Sequence, residues 1–200
     1  MIDILKNPAQ QEADGSPVSP TSTRKGVSGH PFFIPGRKWG PLPFLPEPKQ
    51  LSLPPTYMSD LLVGVYFDQL HYSLPLLDKN RFTKQYRELV TGRAQTKADV
   101  RFLAVFYAVC ACASSLVMKE RSPQASFPGI EHYEKATLMQ LRTSEEACVE
   151  QVQSLALLAY CTAGWNTLSQ AWKYAGQAVR AAQDLGFHVR VLSMYLSAWF

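Results

Sequence analysis

The stretch that most constrains the fold of this chain is residues 165 to 188, WNTLSQAWKYAGQAVRAAQDLGFH. Small and apolar residues recur in it at steps of four and three, which places them on one face of a helix with about 3.6 residues per turn. These residues are Ala171, Ala175, Ala178, Ala182 and Leu185. Because alanine leaves room for a close approach, the pattern predicts a helix that packs tightly against a neighbouring helix.

Both ends of this predicted helix carry recognisable signals. Thr167 with Gln170 three residues later is typical of a capping box, and Gly186 suits the left-handed residue that ends a helix. His188 follows near the negative end of the helix dipole, which favours a capping or packing role over a role as a ligand. Trp172 flanks the alanine face, and we predict that its ring is largely buried between helices.

The chain from residue 56 onward has the pattern of further helices. Apolar periodicity predicts elements near 56–71, 79–91, 96–118, 129–142 and 144–164. Thr143 and Glu146 have the spacing of a capping box for the fifth. About four residues separate the fifth helix from the sixth, so these two should form an antiparallel hairpin. Since no run alternates long enough for a strand, we predict an all-α bundle of about six helices.

The two ends of the chain differ from this helical part. Residues 1 to 55 are rich in Pro, Gly and Ser without any period, which predicts a disordered or extended linker before a helical domain at 56–190. Residues 191 to 200 are too apolar for a free tail. We expect this atypical segment to form a short helix that partly covers the sixth helix and leaves an apolar patch exposed. Its apolar residues are Val191, Leu192, Met194, Tyr195, Leu196, Trp199 and Phe200.

The cysteines and histidines do not have the spacing of a metal site. Cys110 and Cys112 are two residues apart on a predicted helix, so their thiols should point about 200° apart around it. Cys148 and Cys161 stand alone on other helices, and the four histidines are scattered. No nucleophile elbow, phosphate loop or dinucleotide fingerprint is present in the sequence, so no catalytic role is predicted.

Charge and hydropathy exclude few classes of function. The formal net charge of +4 is too mild to indicate nucleic acid or a membrane surface as the partner. Residues 102 to 118 are uncharged, but a buried core helix is favoured over a membrane span. Residues 78 to 101 hold seven Lys and Arg against three Asp and Glu, with Phe82 and Tyr86 between them. This segment is either plain basic surface, which is favoured, or a contact for an acidic partner or phosphates.

Two sets of residues, by their identity and their order along the chain, give this sequence a resemblance to the fungal-specific transcription factor domain. That domain is the regulatory middle homology region of fungal zinc-cluster transcription factors. The likeness covers roughly residues 52 to 190. Tyr72 follows His71 where family members commonly have proline, which leaves the path of that loop open. The first set is Tyr66, Phe67, His71, Pro75 and Phe82; the second is Trp172, Gly176, Ala178, Arg180, Leu185, Gly186 and His188.

The resemblance implies a nuclear domain that regulates DNA-templated transcription without catalysis. Its partners would be proteins of the transcription machinery or a second copy of itself, with a small-molecule effector as a further candidate and no membrane. Family members bind DNA through a separate module of six cysteines around two zinc ions. The four cysteines here lack that spacing, so we expect no cofactor in this chain, DNA contact only through a module outside it, and a fragment of a longer protein. The alternative is a tetratricopeptide-like scaffold, although no 34-residue period is found.

Overall fold

The computed structural model describes residues 44–92, 97–119, 127–143 and 147–188. Within these ranges it contains six α-helices and no strand, so the all-α prediction is confirmed. A π-helical turn extends the first helix, and a short 3-10 turn precedes it. The helices are α1 (Thr56–Val65), α2 (Lys79–Val90), α3 (Lys97–Lys119), α4 (Ile130–Thr143), α5 (Val149–Gly164) and α6 (Leu168–Asp184), and the π-helical turn is Tyr66–Leu70.

Helix α3 is the centre of the bundle. Every residue from Phe102 to Ala113 is buried, and α1, α4 and α5 pack around it, while α6 packs mainly on α5. By length and composition alone, Val100–Val117 would suffice to cross a membrane, but 72% of that span is buried inside the fold. A helix that is apolar on all sides is expected to be buried. The prediction that this stretch forms a core helix is therefore confirmed.

A glycine sets how closely α4 approaches α3. Gly129 precedes α4 with a φ of 79°, in the left-handed region that favours glycine. A Cβ atom placed on it would lie 2.6 Å from the Ser114 Cβ and 2.9 Å from the Ala111 carbonyl oxygen, both on α3. The backbone of this turn can therefore touch α3 only because no side chain intervenes.

Helices α5 and α6 form the expected hairpin. Three residues, Trp165 to Thr167, connect them, and Asn166 adopts a φ of 60°, which asparagine tolerates better than most residues. Thr167 is the N-cap residue of α6, as predicted, but its side chain does not cap the helix. Its hydroxyl donates instead to the Thr162 carbonyl at 2.7 Å, which ties the connection to the end of α5.

The second predicted capping box is wrong. Thr143 is the last residue of α4, where its hydroxyl donates to the Met139 carbonyl at 3.0 Å. Such a bond to the preceding turn is the ordinary choice for a threonine inside a helix. Helix α5 begins only at Val149, after Cys148, while Glu146 lies outside the described residues.

Residues 44–55, which we call the N-terminal strap, lie against the helices. Arg142 on α4 donates to the Glu47 carboxylate at 2.6 Å, and Lys135 on the same helix donates to the Ser52 carbonyl at 3.0 Å. The two cations are seven residues apart, so they lie on one face of α4. This part of the predicted linker is thus held by side chains of the bundle. The remainder of the linker and the apolar segment 191–200 lie outside the described residues.

Candidate functional site

Four of the residues selected from the sequence meet in one aromatic cluster. The ring centroid of Phe67 lies 5.1 Å from that of Tyr66, 5.3 Å from that of His71 and 5.4 Å from that of Phe82. Phe82 in turn lies 5.1 Å from Phe102 on α3. Tilted and edge-on contacts of this kind are favourable beyond the area that they bury. The cluster therefore fastens α1, α2 and α3 together.

The π-helical turn brings these rings together. The backbone amide of His71 donates to the Tyr66 carbonyl at 2.9 Å, five residues back, which closes the wider turn. Burial raises the pKa of the Tyr66 phenol. Within the described part of the chain, neither its oxygen nor the His71 Nδ1 has a hydrogen-bond partner. Pro75 lies exposed in the loop that follows. The first set of residues thus forms a packed junction, with Pro75 outside it.

The burial of Trp172 was predicted wrongly. Its side chain is 81% exposed, whereas Tyr174, two residues on, is 6% exposed. Two residues correspond to a rotation of about 200° around a helix, so only one of these rings can face the bundle. The buried face of α6 is formed by Tyr174, Ala178 and Ala181, rotated by part of a turn from the face that alanine spacing suggested.

The other residues of the second set occupy different environments. Gly176 leaves room beside the Arg180 guanidinium, since a Cβ on it would lie 3.8 Å from the Arg180 Nη1. Leu185 and Gly186 are half-buried at the end of α6, and Gly186 has the predicted left-handed conformation, with a φ of 73°. His188 is exposed just beyond it. The structure therefore does not bring this set together into one site.

An apolar stripe runs along the outer side of α6. Leu168 is 65% exposed and Val179 is 56% exposed, and with Trp172 they recur at steps of four and seven, on one side of the helix. We call these three residues the α6 stripe. Lys173 and Arg180 are exposed beside it, and neither forms an ion pair within the described part of the chain.

Hydroxyl groups join α4 to α6 on the inner side. The phenol oxygens of Tyr133 and Tyr174 are 2.9 Å apart, and the Thr137 hydroxyl lies 3.2 Å from the Tyr174 oxygen. Burial, and then the contact with Tyr174, raise the pKa of the Tyr133 phenol. The network fixes the distance between α4 and α6.

Next to this network, α4, α5 and α6 line a cleft of about 620 Å³ that is open to solvent. This volume lies within the range of small-molecule sites. Four of its eight polar lining residues are glutamines, and they come from all three helices. We call it the glutamine groove, defined by Gln140, Gln151, Gln170, Gln177, Arg180 and Asp184.

The inner wall of the groove contains an unused hydrogen-bond acceptor. Gln140 is only 7% exposed, and its Nε2 donates to the Gln151 carbonyl at 3.1 Å and contacts the Ser154 hydroxyl. The side-chain Oε1 of Gln151 is buried and has no hydrogen-bond partner among the described residues. Buried polar atoms are normally paired, so the Gln151 side chain, which also lines the groove, retains an unused acceptor.

The sequence analysis missed Tyr174, Gln140 and Gln151. One signal was available on α6, where Gln170, Gln177 and Asp184 recur every seven residues and so lie in one row. The structure places this row along the groove.

The thiols are buried and have a closer arrangement than the sequence suggested. Cys161 does not stand alone, because the Cys112 thiol lies beside it and donates to the Leu157 carbonyl at 3.2 Å. Contact with Cys161 and burial raise the pKa of Cys112, and burial raises that of Cys110. Across the described ranges, no group of three or more His, Cys, Asp or Glu side chains converges as a metal site would require.

Comparison with known proteins places these helices in a family. The model of the "Fungal specific transcription factor domain" family matches residues 63–200, which is well over half of the chain. This chain belongs to the fungal-specific transcription factor domain family. The match begins within α1, continues through α6 and includes residues 191–200, which the sequence analysis had set apart as atypical.

A curated relative of this fungal-specific transcription factor domain is known in Aspergillus niger. That protein is described as a transcription regulator, galc, and is 23% identical to this chain over 154 residues, or 74% of the chain. The chain spans about 18% of the length of that relative. No solved structure matches the chain. Family and relative together assign the domain a role in regulating transcription.

Proposed function

We propose that this domain regulates transcription by binding protein partners, while other parts of the factor contact DNA. The observation that carries the proposal is the α6 stripe, since a soluble domain seldom exposes a Trp, a Leu and a Val side by side without a function. Exposed aromatic side chains are also enriched where proteins meet. A nuclear location accords with the family.

The chemistry of the stripe defines the partner. Lys173 follows Trp172 and Arg180 follows Val179, and these two cations have no carboxylate partner among the described residues. Electrostatic complementarity then favours a protein segment whose apolar side chains are flanked by Asp or Glu. A helix that offers its apolar side to such a segment uses a recurrent mode of recognition.

A reporter assay tests this proposal. The chain is fused between an unrelated DNA-binding domain and an activation segment, and output is compared with that of the fusion lacking the chain. We expect the chain to change the output, and Trp172→Ser to abolish the change at unaltered protein level. Tyr57→Ser is the matched control, because Tyr57 is 72% exposed on α1, away from the stripe. Equal output with and without the chain, or a fully active Trp172→Ser variant, contradicts the proposal.

DNA contact is tested separately. We expect the purified chain to show no sequence-selective band shift at physiological salt, because specific readers bind their sites at about nanomolar concentration through side chains inserted into a groove. Sequence-selective binding in that range would show that the chain contains a DNA-reading element. Membership of the family also favours this regulatory function over the tetratricopeptide-like scaffold considered first.

A further inference from the structure

We propose that the glutamine groove binds a neutral, polyhydroxylated small molecule. The inference rests on the proposed function in one respect, since such a ligand would act as an effector of the regulatory domain. Binding itself can be tested without any transcription readout. Three helices contribute to the groove, so a ligand there would contact α4, α5 and α6 at once.

Amide side chains suit hydroxyl groups. Each glutamine offers an acceptor oxygen and a donor nitrogen, and each hydroxyl likewise both donates and accepts. Gln170 is half-buried and its side chain hydrogen-bonds with the Tyr133 phenol. Gln177 lies seven residues further along the same side of α6 and is exposed, so its amide is available from the solvent side. On the inner wall, the buried Oε1 of Gln151 has no partner among the described residues, and it can accept from a ligand hydroxyl once the side chain turns towards the groove.

The charges at the groove favour a neutral ligand. Arg180 and Asp184 are the charged residues of its lining, and they carry opposite charges one helical turn apart. Their sum is zero, so neither an anion nor a cation is attracted over a neutral molecule. Both side chains can still hydrogen-bond to hydroxyls at the rim.

Part of the groove is apolar. Leu155 is 5% exposed and Ala181 is 7% exposed, and both line the cleft next to the ring of Tyr174. The carbon-bearing face of a cyclic or linear polyol can pack on such a surface while its hydroxyls reach the amides. Apolar contacts combined with a few placed polar groups are what small-molecule sites usually offer.

Calorimetric titration of the full chain tests this inference with a defined panel. The neutral polyols are D-glucose, D-sorbitol and myo-inositol, and the comparison compounds are gluconate, which is charged, and cyclohexanol, which has a single hydroxyl. We expect at least one neutral polyol to bind with a Kd below about 1 mM, more tightly than either comparison compound.

Paired variants locate the site. Gln170→Ala combined with Gln177→Ala should weaken binding at least about tenfold, because two hydrogen-bonding amides are removed. Gln183→Ala is the matched control, since Gln183 is exposed on α6 but does not line the groove, and it should bind as the parent does. Thermal melts verify that each variant folds.

Three results would overturn the inference: no neutral polyol binds to the folded chain, gluconate or cyclohexanol binds at least as tightly, or the double variant binds as well as the parent. None of these results bears on the reporter assay of Trp172, so failure of the effector site and failure of the proposed function remain distinguishable.

Discussion

The phenol oxygen of Tyr133 on α4 lies 2.9 Å from that of Tyr174 on α6, and the contact joins two helices that are far apart in the sequence. Helix α6 otherwise packs chiefly on α5. The pair of phenols therefore decides how α6 is oriented towards α4, and with it the width of the glutamine groove that begins beside Tyr174.

Removal of this contact should weaken the fold measurably. We expect Tyr174→Phe to lower the free energy of unfolding by about 1 kcal/mol, the usual net value of one hydrogen bond. Tyr160→Phe is the control, because Tyr160 is 42% exposed on α5, and it should change the stability by less than about 0.5 kcal/mol. Urea denaturation measures both. Equal stability of Tyr174→Phe and the parent would mean that the two phenols do not interact in solution.

Trp172→Ala should be nearly neutral for stability. The ring is 81% exposed, so the change removes little buried area, and we expect a loss of less than about 1 kcal/mol. A buried Trp would instead lose about 3 to 5 kcal/mol. Trp172→Phe should also reduce the tryptophan fluorescence that acrylamide quenches, because an exposed indole ring is removed. A large loss of stability, or an unchanged quenching curve, would place the ring in the interior.

The N-terminal strap should be released by loss of its tie to α4. Arg142 donates to Glu47 at 2.6 Å and to the Pro46 carbonyl at 2.9 Å. Arg142→Met should therefore make the peptide bond after Lys49 more accessible to trypsin. It should also lower the free energy of unfolding by about 1 to 2 kcal/mol, a modest loss because the Glu47 carboxylate is largely exposed to solvent. Arg87→Met on the surface of α2 is the control. Equal cleavage rates in the two variants would show that Arg142 does not hold the N-terminal strap against α4.

Stability should decline in alkaline solution. Burial raises the pKa of the Cys110 thiol above its ordinary value near 9, so the folded state keeps the thiol neutral where the unfolded chain ionises it. Its stabilising contribution is then complete below about pH 9 and is lost as the pH rises further. We expect urea midpoints under reducing conditions to fall between pH 8 and pH 10.

The same titration on Cys110→Ala isolates the thiol. This variant should lose stability less steeply with pH than the parent, whatever its starting value, because one ionisable group has been removed. A remaining slope is expected from the Tyr107 phenol, whose pKa is also raised by burial. Parallel slopes for variant and parent would show that Cys110 does not contribute.

The sequence of α6 predicts the helix itself but not which of its sides is buried. Its existence and both of its ends followed from spacing, because one apolar side is enough to predict a helix. The buried side did not follow, because apolar residues extend around the helix from Tyr174 through Ala178 and Ala175 to Trp172. When the apolar arc covers nearly half of a helix, periodicity cannot tell which part faces the bundle. Only packing against α5 and α4 decides between Trp172 and Tyr174.

The candidate site was even less accessible from the sequence. Gln140 and Gln151 belong to different helices and share no spacing with Gln170 or Gln177. Each of them, taken alone, is an ordinary polar residue of an amphipathic helix. The four amides meet only because α4, α5 and α6 pack side by side, so the groove is a property of tertiary structure. The aromatic cluster, by contrast, could be found from local residues, since three of its rings lie within six positions, 66 to 71.

The bare backbone at Gly129 makes one position of the chain nearly irreplaceable. Any L-residue there would have to adopt an unfavourable φ and also push against Ser114 and a backbone carbonyl of α3 that cannot yield. At Gly164, by contrast, an added Cβ would meet none of the described residues within 4 Å, and the φ of Gly164 is not left-handed. In a library with every substitution at both sites, folded variants should be common at 164 and absent at 129. Mutational tolerance, measured without any structure, would then reveal where α4 touches α3.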